Sequence, residues 1–301
     1  MTRSASEQTA IPRDVQIKAG SPPSERMQCM EVWGGNQGTN RHLEMTGLET
    51  WIFSEPHQSD QSGGDVYYVS SCASGRVTRL LLADVSGHGE DASTPAVGLR
   101  ELMRQNVNII KPTSFVQTMN KQFAKLDRGR RFATAVLCSF FSPTSRMTLC
   151  NAGHPEPLYR TSKGPWVSVS QQSQELDTND FPLGIMDDTD YSQITLSLKP
   201  GDMLMLFSDA FIEAVGRDGE LVGAGGLLGL VNQLDASEPG TLIPQLIAEL
   251  RKRNPDNLST DDATVLVVRA TGTKPSLKDN LMAPFRFFRP VEDRTELDGE
   301  S

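Results

Sequence analysis

The chain of 301 residues can hold one large or two small domains, and its 37% hydrophobic and 22% charged residues, with 25 Gly and 18 Pro, exclude a fibre, a coiled coil and a membrane bundle. Its 38 Asp and Glu outnumber 29 Lys and Arg, a net charge of −9, which argues against a protein held to nucleic acid by phosphate neutralisation. Cys29, Cys72, Cys138 and Cys150 form no CxxC pair and read as reduced thiols. No apolar stretch approaches the roughly 20 residues of a membrane span, nor does the N-terminus carry a secretory h-region, so the expected address is the cytoplasm, away from the membrane.

Residues 1–26 are rich in Ser, Pro, Gln and charge without a sustained period, and read as a disordered or regulatory tail. Strands are expected at Asp65–Ser70, Arg76–Ala83, Phe132–Phe141, Arg146–Cys150, Ile194–Leu198, Met203–Ser208 and Thr264–Arg269. Most follow one another in hairpin-like succession, which points to antiparallel sheets in a mixed α and β domain. Lys199-Pro-Gly-Asp202 places Pro and Gly for a type II turn. Helical stripes run through Leu99, Leu102, Met103, Val107 and Ile110, and through Val116, Met119, Phe123 and Leu126, with Ser114 and Gln117 as a capping box for the second. Two more helices are expected around Leu227–Leu234 and Leu242–Leu250. Residues 271–301 read as a tail or a strap, with an aromatic and basic island at Met282–Arg289.

Aspartates gather at strand ends and beside glycines. Asp65 follows Gly63-Gly64 and opens a strand, Asp84 ends Leu80-Leu-Leu-Ala83, Asp209 ends Met203–Ser208, and Asp261-Asp262 precede Ala263–Val268. Strands that deliver carboxylates at their ends converge them on one edge of a core, where like charges are costly unless a cation neutralises them. Oxygen-only ligation without Cys or His spacing favours Mg²⁺ or Mn²⁺ over zinc. His88 and His154 invite a general-acid role, but glycine-flanked loop histidines more often brace their loops. No CxxxxxR phosphate cradle surrounds any cysteine.

Gly63-Gly-Asp65, Ala83-Asp-Val-Ser-Gly-His-Gly89, Asn151-Ala-Gly-His154, Pro182-Leu-Gly-Ile185, Phe207-Ser-Asp209 and Thr260-Asp-Asp-Ala-Thr264 stand in the order of the SpoIIE-type branch of the metal-dependent Ser/Thr protein phosphatases (PPM, type 2C-like). The chain resembles that family from about Gly47 to Arg269, which places a phosphatase domain at residues 27–270. The resemblance implies an α+β fold, a four-layer α-β-β-α sandwich with two central antiparallel sheets flanked by helix pairs. It also implies two Mn²⁺ or Mg²⁺ ions, with Asp84 bridging them, the Val85 carbonyl as a further ligand, Asp65 on the neighbouring ion, and Asp209 and Asp261 on the other. Asp84 and Asp65 are then the catalytic pair, and Asp262 lies behind Asp261 or replaces it.

Two such cations acidify a shared water, orient the phosphate and neutralise charge in an in-line attack, with no phosphoenzyme. The implied activity is hydrolysis of phosphoserine or phosphothreonine in a phosphorylated protein substrate, in this branch a STAS-domain anti-anti-sigma protein of a partner-switching pathway. No nucleic-acid partner is expected, and there is room for a homodimer. The alternative is a noncatalytic phosphoprotein-binding scaffold of the same fold. Ala210 stands where the family usually has Gly, and Arg131 is the candidate for the phosphate-binding arginine.

Overall fold

The structure, a computed structural model, describes residues 21–27, 31–57, 60–72, 75–87, 90–126, 130–172, 181–275 and 292–294. In chain order the strands are β1 (Ser24–Arg26), β2 (Glu31–Gly35), β3 (Thr39–Met45), β4 (Leu48–Glu55), β5 (Asp65–Cys72) and β6 (Val77–Val85). Helices α1 (Glu90–Gln105) and α2 (Pro112–Leu126) follow, then β7 (Ala133–Phe141), β8 (Arg146–Ala152), β9 (Leu158–Arg160), β10 (Trp166–Ser168), β11 (Ile194–Ser197) and β12 (Met203–Phe207). The chain continues through α3 (Ala210–Glu213), α4 (Gly223–Val231), α5 (Pro239–Arg253), β13 (Ala263–Ala270) and β14 (Glu292–Asp293).

The strands form two seven-stranded sheets, one in the order β1-β3-β4-β13-β12-β9-β10 and the other β11-β8-β7-β6-β5-β2-β14. Leu80 and Leu82 of β6 meet Leu204 and Leu206 of β12 and Leu266 of β13 in a core between the sheets. Leu81, Ala83 and Val85 face the other way and pack on Leu99, Met103, Val116, Met119 and Phe123 of α1 and α2. Met203, Met205 and Phe207 pack on Leu227, Leu230, Leu242 and Leu246 of α4 and α5. Both faces of β6 and β12 are therefore buried, which is why their sequences are unbroken apolar runs instead of alternating ones. The result is the expected four-layer α-β-β-α sandwich.

Several expectations are corrected. The sheets are antiparallel except at two edges, where β1 pairs with β3 and β14 with β2 in parallel. Both short strands come from the flanking segments and lie down on an existing edge, so no hairpin constrains their direction. Ser24–Arg26 of the expected tail is thus an edge strand, and Ser21 Oγ accepts a bond from the Trp51 indole at 2.9 Å. β2, β3 and β4 were absent from the sequence reading: the polar run Thr39-Asn-Arg-His42 has no apolar alternation because β3 lies next to the edge of its sheet. The capping box is misplaced, since α2 already starts at Pro112 and Ser114 lies inside its first turn, its carbonyl accepting from Thr118 Oγ1. Lys199–Asp202 is the expected tight turn: Gly201 has φ +87°, and Asp202 accepts from the Lys199 and Ser162 N–H groups and the Tyr159 hydroxyl.

Helix α1 ends at Gln105, so Val107 and Ile110 lie beyond it. The buried guanidinium of Arg79, on β6, donates to the carbonyls of Val107 and Ile109 and so satisfies the turn between α1 and α2. Arg79→Met would leave both carbonyls without a donor in a closed site; a loss of about 3 kcal/mol is expected in urea unfolding. A melting profile unchanged from the parent would show that water replaces the guanidinium.

At the far end, Asp293 of β14 pairs with Arg100 of α1 at 2.5 Å and Arg294 with Glu31 at 2.9 Å. Residues 292–294 thus lie against β2 and α1. Met282–Arg289, Cys29 and His88 lie outside the described residues. Cys138 and Cys150 are buried free thiols and Cys72 is half-buried. No helix among the described residues is long and apolar enough to cross a membrane.

Candidate metal centre

Antiparallel pairing of β5 with β6 sets Asp65 directly across from Asp84, on the side of the strands that faces the second sheet. From that second sheet, β12 ends one residue before Ser208-Asp209, and β13 begins one residue after Asp262. Because β12 and β13 are neighbours, Asp209 and Asp261 emerge side by side. Closing the sandwich brings the two pairs of strand ends together.

The electrostatics record this convergence. Burial, then repulsion from Asp84 and Asp262, holds the Asp65 carboxyl well above the usual carboxylate range, with the Thr264 and Ser208 hydroxyls pulling the other way. Asp84 is pushed up to about 7 by burial and by Asp209, Asp261, Asp262 and Glu213. Asp209 rises to about 6 through burial, Asp261 and Glu213. Asp65 Oδ2 is buried without a hydrogen-bond partner among the described residues. A knot of mutually repelling carboxylates with an orphaned buried oxygen fits a hard divalent cation, and the donor set is all oxygen.

The glycines of Gly63-Gly64-Asp65 have a steric reason. A Cβ on Gly63 would fall inside the Asp262 carboxylate, and one on Gly64 would come within 2.9 Å of the Val85 carbonyl oxygen. Asp262 accepts from the His57 N–H at 2.7 Å and the Gly64 N–H at 2.5 Å, while its own N–H donates to Asp261 Oδ1 at 2.8 Å. Asp262 therefore braces the Gly63–Asp65 turn and is bonded to Asp261, whose charge acts on both Asp84 and Asp209.

Four further residues escaped the sequence reading. Glu213 lies four residues after Asp209, one helical turn, and its charge acts on both Asp84 and Asp209; the i, i+4 spacing was the available signal. Asn36 donates to the Gly63 carbonyl at 2.9 Å and to Ser93 Oγ at 3.1 Å, and Ser93 also bonds Ser62. The first turns of α1 are thereby tied to the loop that carries Asp65. No local pattern announces a contact between residues 36, 62 and 93.

His154 is a strut. Its ring sits 2.9 Å from Thr134 Oγ1, its backbone N–H and carbonyl are both held by Asn151, and burial pushes its pKa down to about 3. A neutral, buried imidazole has no proton to give as an acid near neutrality. Arg131 donates to the Ser86 carbonyl at 2.7 Å, bracing the loop after Asp84. A tighter cluster, His42, Glu44 and Glu49, has ligand atoms within 4.8 Å of one another, but Glu49 is already paired with Arg269.

Residues 74–271 match the family described as Stage II sporulation protein E (SpoIIE). The chain belongs to the SpoIIE family. It is 24% identical over 192 residues to the phosphoserine phosphatase RsbP and 25% identical over 210 residues to the phosphoserine phosphatase RsbU, both of Bacillus subtilis (strain 168). Those alignments cover 58% and 69% of this chain, and 46% and 60% of RsbP and RsbU, so the chain spans about half the length of the curated relatives it matches. Among solved structures it is similar to the PP2C phosphatase domain with a regulatory fragment of SpoIIE from Bacillus subtilis. The TM-score is 0.63 at 17% identity, covering 77% of this chain and 65% of that one, a likeness of fold. The SpoIIE-family match contains Asp84, Val85, Asp209 and Asp261, while Asp65 and its two glycines lie just before it.

The raised carboxylates set a pH dependence. A carboxyl whose folded pKa lies above its unfolded value contributes stability at low pH that is lost as pH rises through the folded pKa. The metal-free protein is expected to melt at a higher temperature at pH 5.5 than at pH 8, with most of the change across the interval up to about 7, where Asp209 and Asp84 ionise. Added Mn²⁺ should narrow or reverse the difference, because the cation binds the ionised carboxylates. Scanning fluorimetry in EDTA and in Mn²⁺ checks both, and a metal-free melting temperature that climbs steadily with pH would contradict the assigned repulsion.

Proposed function

We propose that this chain is a metal-dependent phosphoprotein phosphatase that hydrolyses phosphoserine or phosphothreonine. The observation that carries the reading is the meeting of Asp65 and Asp84 from one sheet with Asp209 and Asp261 from the other, all four at the positions of the SpoIIE-type motifs. Asp84, whose charge is opposed by both Asp209 and Asp261, would be shared between two ions. Asp65 would hold one, with the Val85 carbonyl beside it, and Asp209 and Asp261 the other. Two Mn²⁺ or Mg²⁺ ions supply Lewis-acid polarisation of the phosphoryl group and acidify the attacking water.

The chain's own residues do the positioning. Asp262 and Gly63 fix the turn before Asp65, Arg131 and Phe132 hold Ser86 after Val85, and His154 ties the end of β8 to Thr134 and the Phe207 backbone. The phosphoserine phosphatase names of RsbP and RsbU support a phosphoprotein substrate, and a STAS-domain anti-anti-sigma protein of a partner-switching pathway is the class we infer. Cytoplasmic residence suits that role.

The test is hydrolysis of p-nitrophenyl phosphate by the full chain with Mn²⁺ or Mg²⁺, then after EDTA. Turnover that needs added cation and falls at least about 100-fold on chelation is expected. Rates indistinguishable from the cation-only blank would sink the enzyme reading and leave the noncatalytic scaffold.

A further inference from the structure

Four large apolar side chains stand exposed around the loop that follows Asp84: Phe132 at 42% of full exposure, Phe181 at 53%, Ile185 at 49% and Met186 at 48%. The backbone around Phe132, Ile185 and Met186 is pinned. Phe132 exchanges hydrogen bonds with Ser86, its carbonyl taking the Ser86 N–H at 3.0 Å and its N–H donating to Ser86 Oγ at 3.2 Å. Next to it, Ala133 and Leu183 form an antiparallel bridge through bonds of 2.9 and 2.8 Å, which sets Ile185 across from Arg131. The buried Asn120 of α2 accepts from the Gly184 N–H at 2.7 Å and donates to the Met186 carbonyl at 2.6 Å.

Held this firmly, the segment buries Leu183 beneath it yet keeps three neighbouring apolar side chains in water. Covering the exposed half of each would be favourable. Pinned apolar side chains grouped beside a polar rim are the mark of a binding surface. On one side the rim is acidic: Asp187, Asp188 and Asp190 are exposed, with Lys121 reaching Asp188 and Gln117 reaching Asp190, while exposed Arg130 and half-buried Arg131 stand on the other side, next to Phe132.

We propose that Phe132, Phe181, Ile185 and Met186 form the docking surface for the polypeptide that flanks the phosphorylated residue of a protein substrate. That polypeptide is apolar beside the phosphoresidue and basic where it meets Asp187, Asp188 and Asp190. The inference rests on the phosphatase reading above. Continuity decides the occupant: Phe132 is bonded to Ser86, two residues from Asp84, so a chain that delivers a phosphoserine to the aspartates lies over this surface, while a small phosphate ester does not reach it.

Three synthetic phosphoserine peptides test it against p-nitrophenyl phosphate in Mn²⁺, one with apolar and basic flanks, one with Ser and Gly flanks, and one with apolar and acidic flanks. The first should exceed the second about tenfold in kcat/KM, the third should fall below the first, and the gain should lie in KM. In Phe181→Ser/Ile185→Ser the ratio of the apolar-basic peptide to p-nitrophenyl phosphate should drop about tenfold, and Asp187→Asn/Asp188→Asn should close the gap between basic and acidic flanks. Equal rates on all three peptides, or an unchanged ratio in the Phe181→Ser/Ile185→Ser variant, would overturn the docking surface while the phosphatase reading stood. No hydrolysis of p-nitrophenyl phosphate sinks the reading itself. Self-association in sedimentation, or binding to phosphatidylglycerol vesicles, that is lost with Phe181→Ser would also overturn the proposal, by giving the surface to a second copy or to a membrane.

Discussion

Replacing Asp84 with asparagine is expected to lower cation-dependent hydrolysis by about 10³-fold or more while leaving the protein folded. The substitution keeps the shape of the side chain and removes one charge from a group that faces Asp65 directly and is repelled by Asp209, Asp261, Asp262 and Glu213. A site whose cations are held by that charge loses both ions with it. Without metal the same repulsion works against the fold, so at pH 8 the metal-free Asp84→Asn protein should melt at or above the parent's temperature. Activity and stability should therefore move in opposite directions, which misfolding cannot produce. Calorimetric titration with Mn²⁺, melting curves in EDTA and p-nitrophenyl phosphate kinetics measure the three quantities. A folded Asp84→Asn protein with near-parental turnover would refute the two-ion site.

Gly63→Ala is expected to damage both stability and activity, although alanine is a small change. The added methyl would occupy the space of the Asp262 carboxylate. To make room, Asp262 must give up its bonds from His57 and Gly64, and its backbone bond to Asp261 Oδ1 is disturbed with it. Overpacking of this kind costs about 1–3 kcal/mol, and displacement of Asp261 should lower turnover about 100-fold. Gly38→Ala is the control, because a Cβ there meets Pro56 at 3.5 Å and the Ser54 carbonyl oxygen at 3.7 Å, both ordinary contacts. Equal losses in the two variants would mean that alanine in this region is harmful for a reason unrelated to Asp262.

The parts of the site that were legible in the chain were local ones. Asp84 and Asp209 each close an apolar run, and such runs become strands because both their faces are buried. Asp261 could be preferred over Asp262 by its distance from Thr264, but what Asp262 does instead appears only where its carboxylate meets the Gly64 and His57 amides, about 200 residues earlier in the chain. His154 looked like a candidate acid because imidazole titrates near neutrality; its burial against Thr134 and Phe207 removes that property. The edge strands β1 and β14 left no periodic signal, since an edge strand is held by backbone bonds more than by an apolar face, and the polar first half of β3 lies beside β1.

By itself, then, the sequence determined which segments become strands and helices in the core, which residue types end them, and a family motif order. Apolar periodicity and covalent neighbourhood act over a few residues and can be read there. Only the tertiary structure decided that Asp65 and Asp84 face Asp209 and Asp261, that Glu213 joins them, and that Phe132, Phe181, Ile185 and Met186 stay in water beside them. Burial and charge repulsion act through space, between residues the chain separates by up to about 200 positions, so the raised carboxylates exist only once the two sheets have closed on each other.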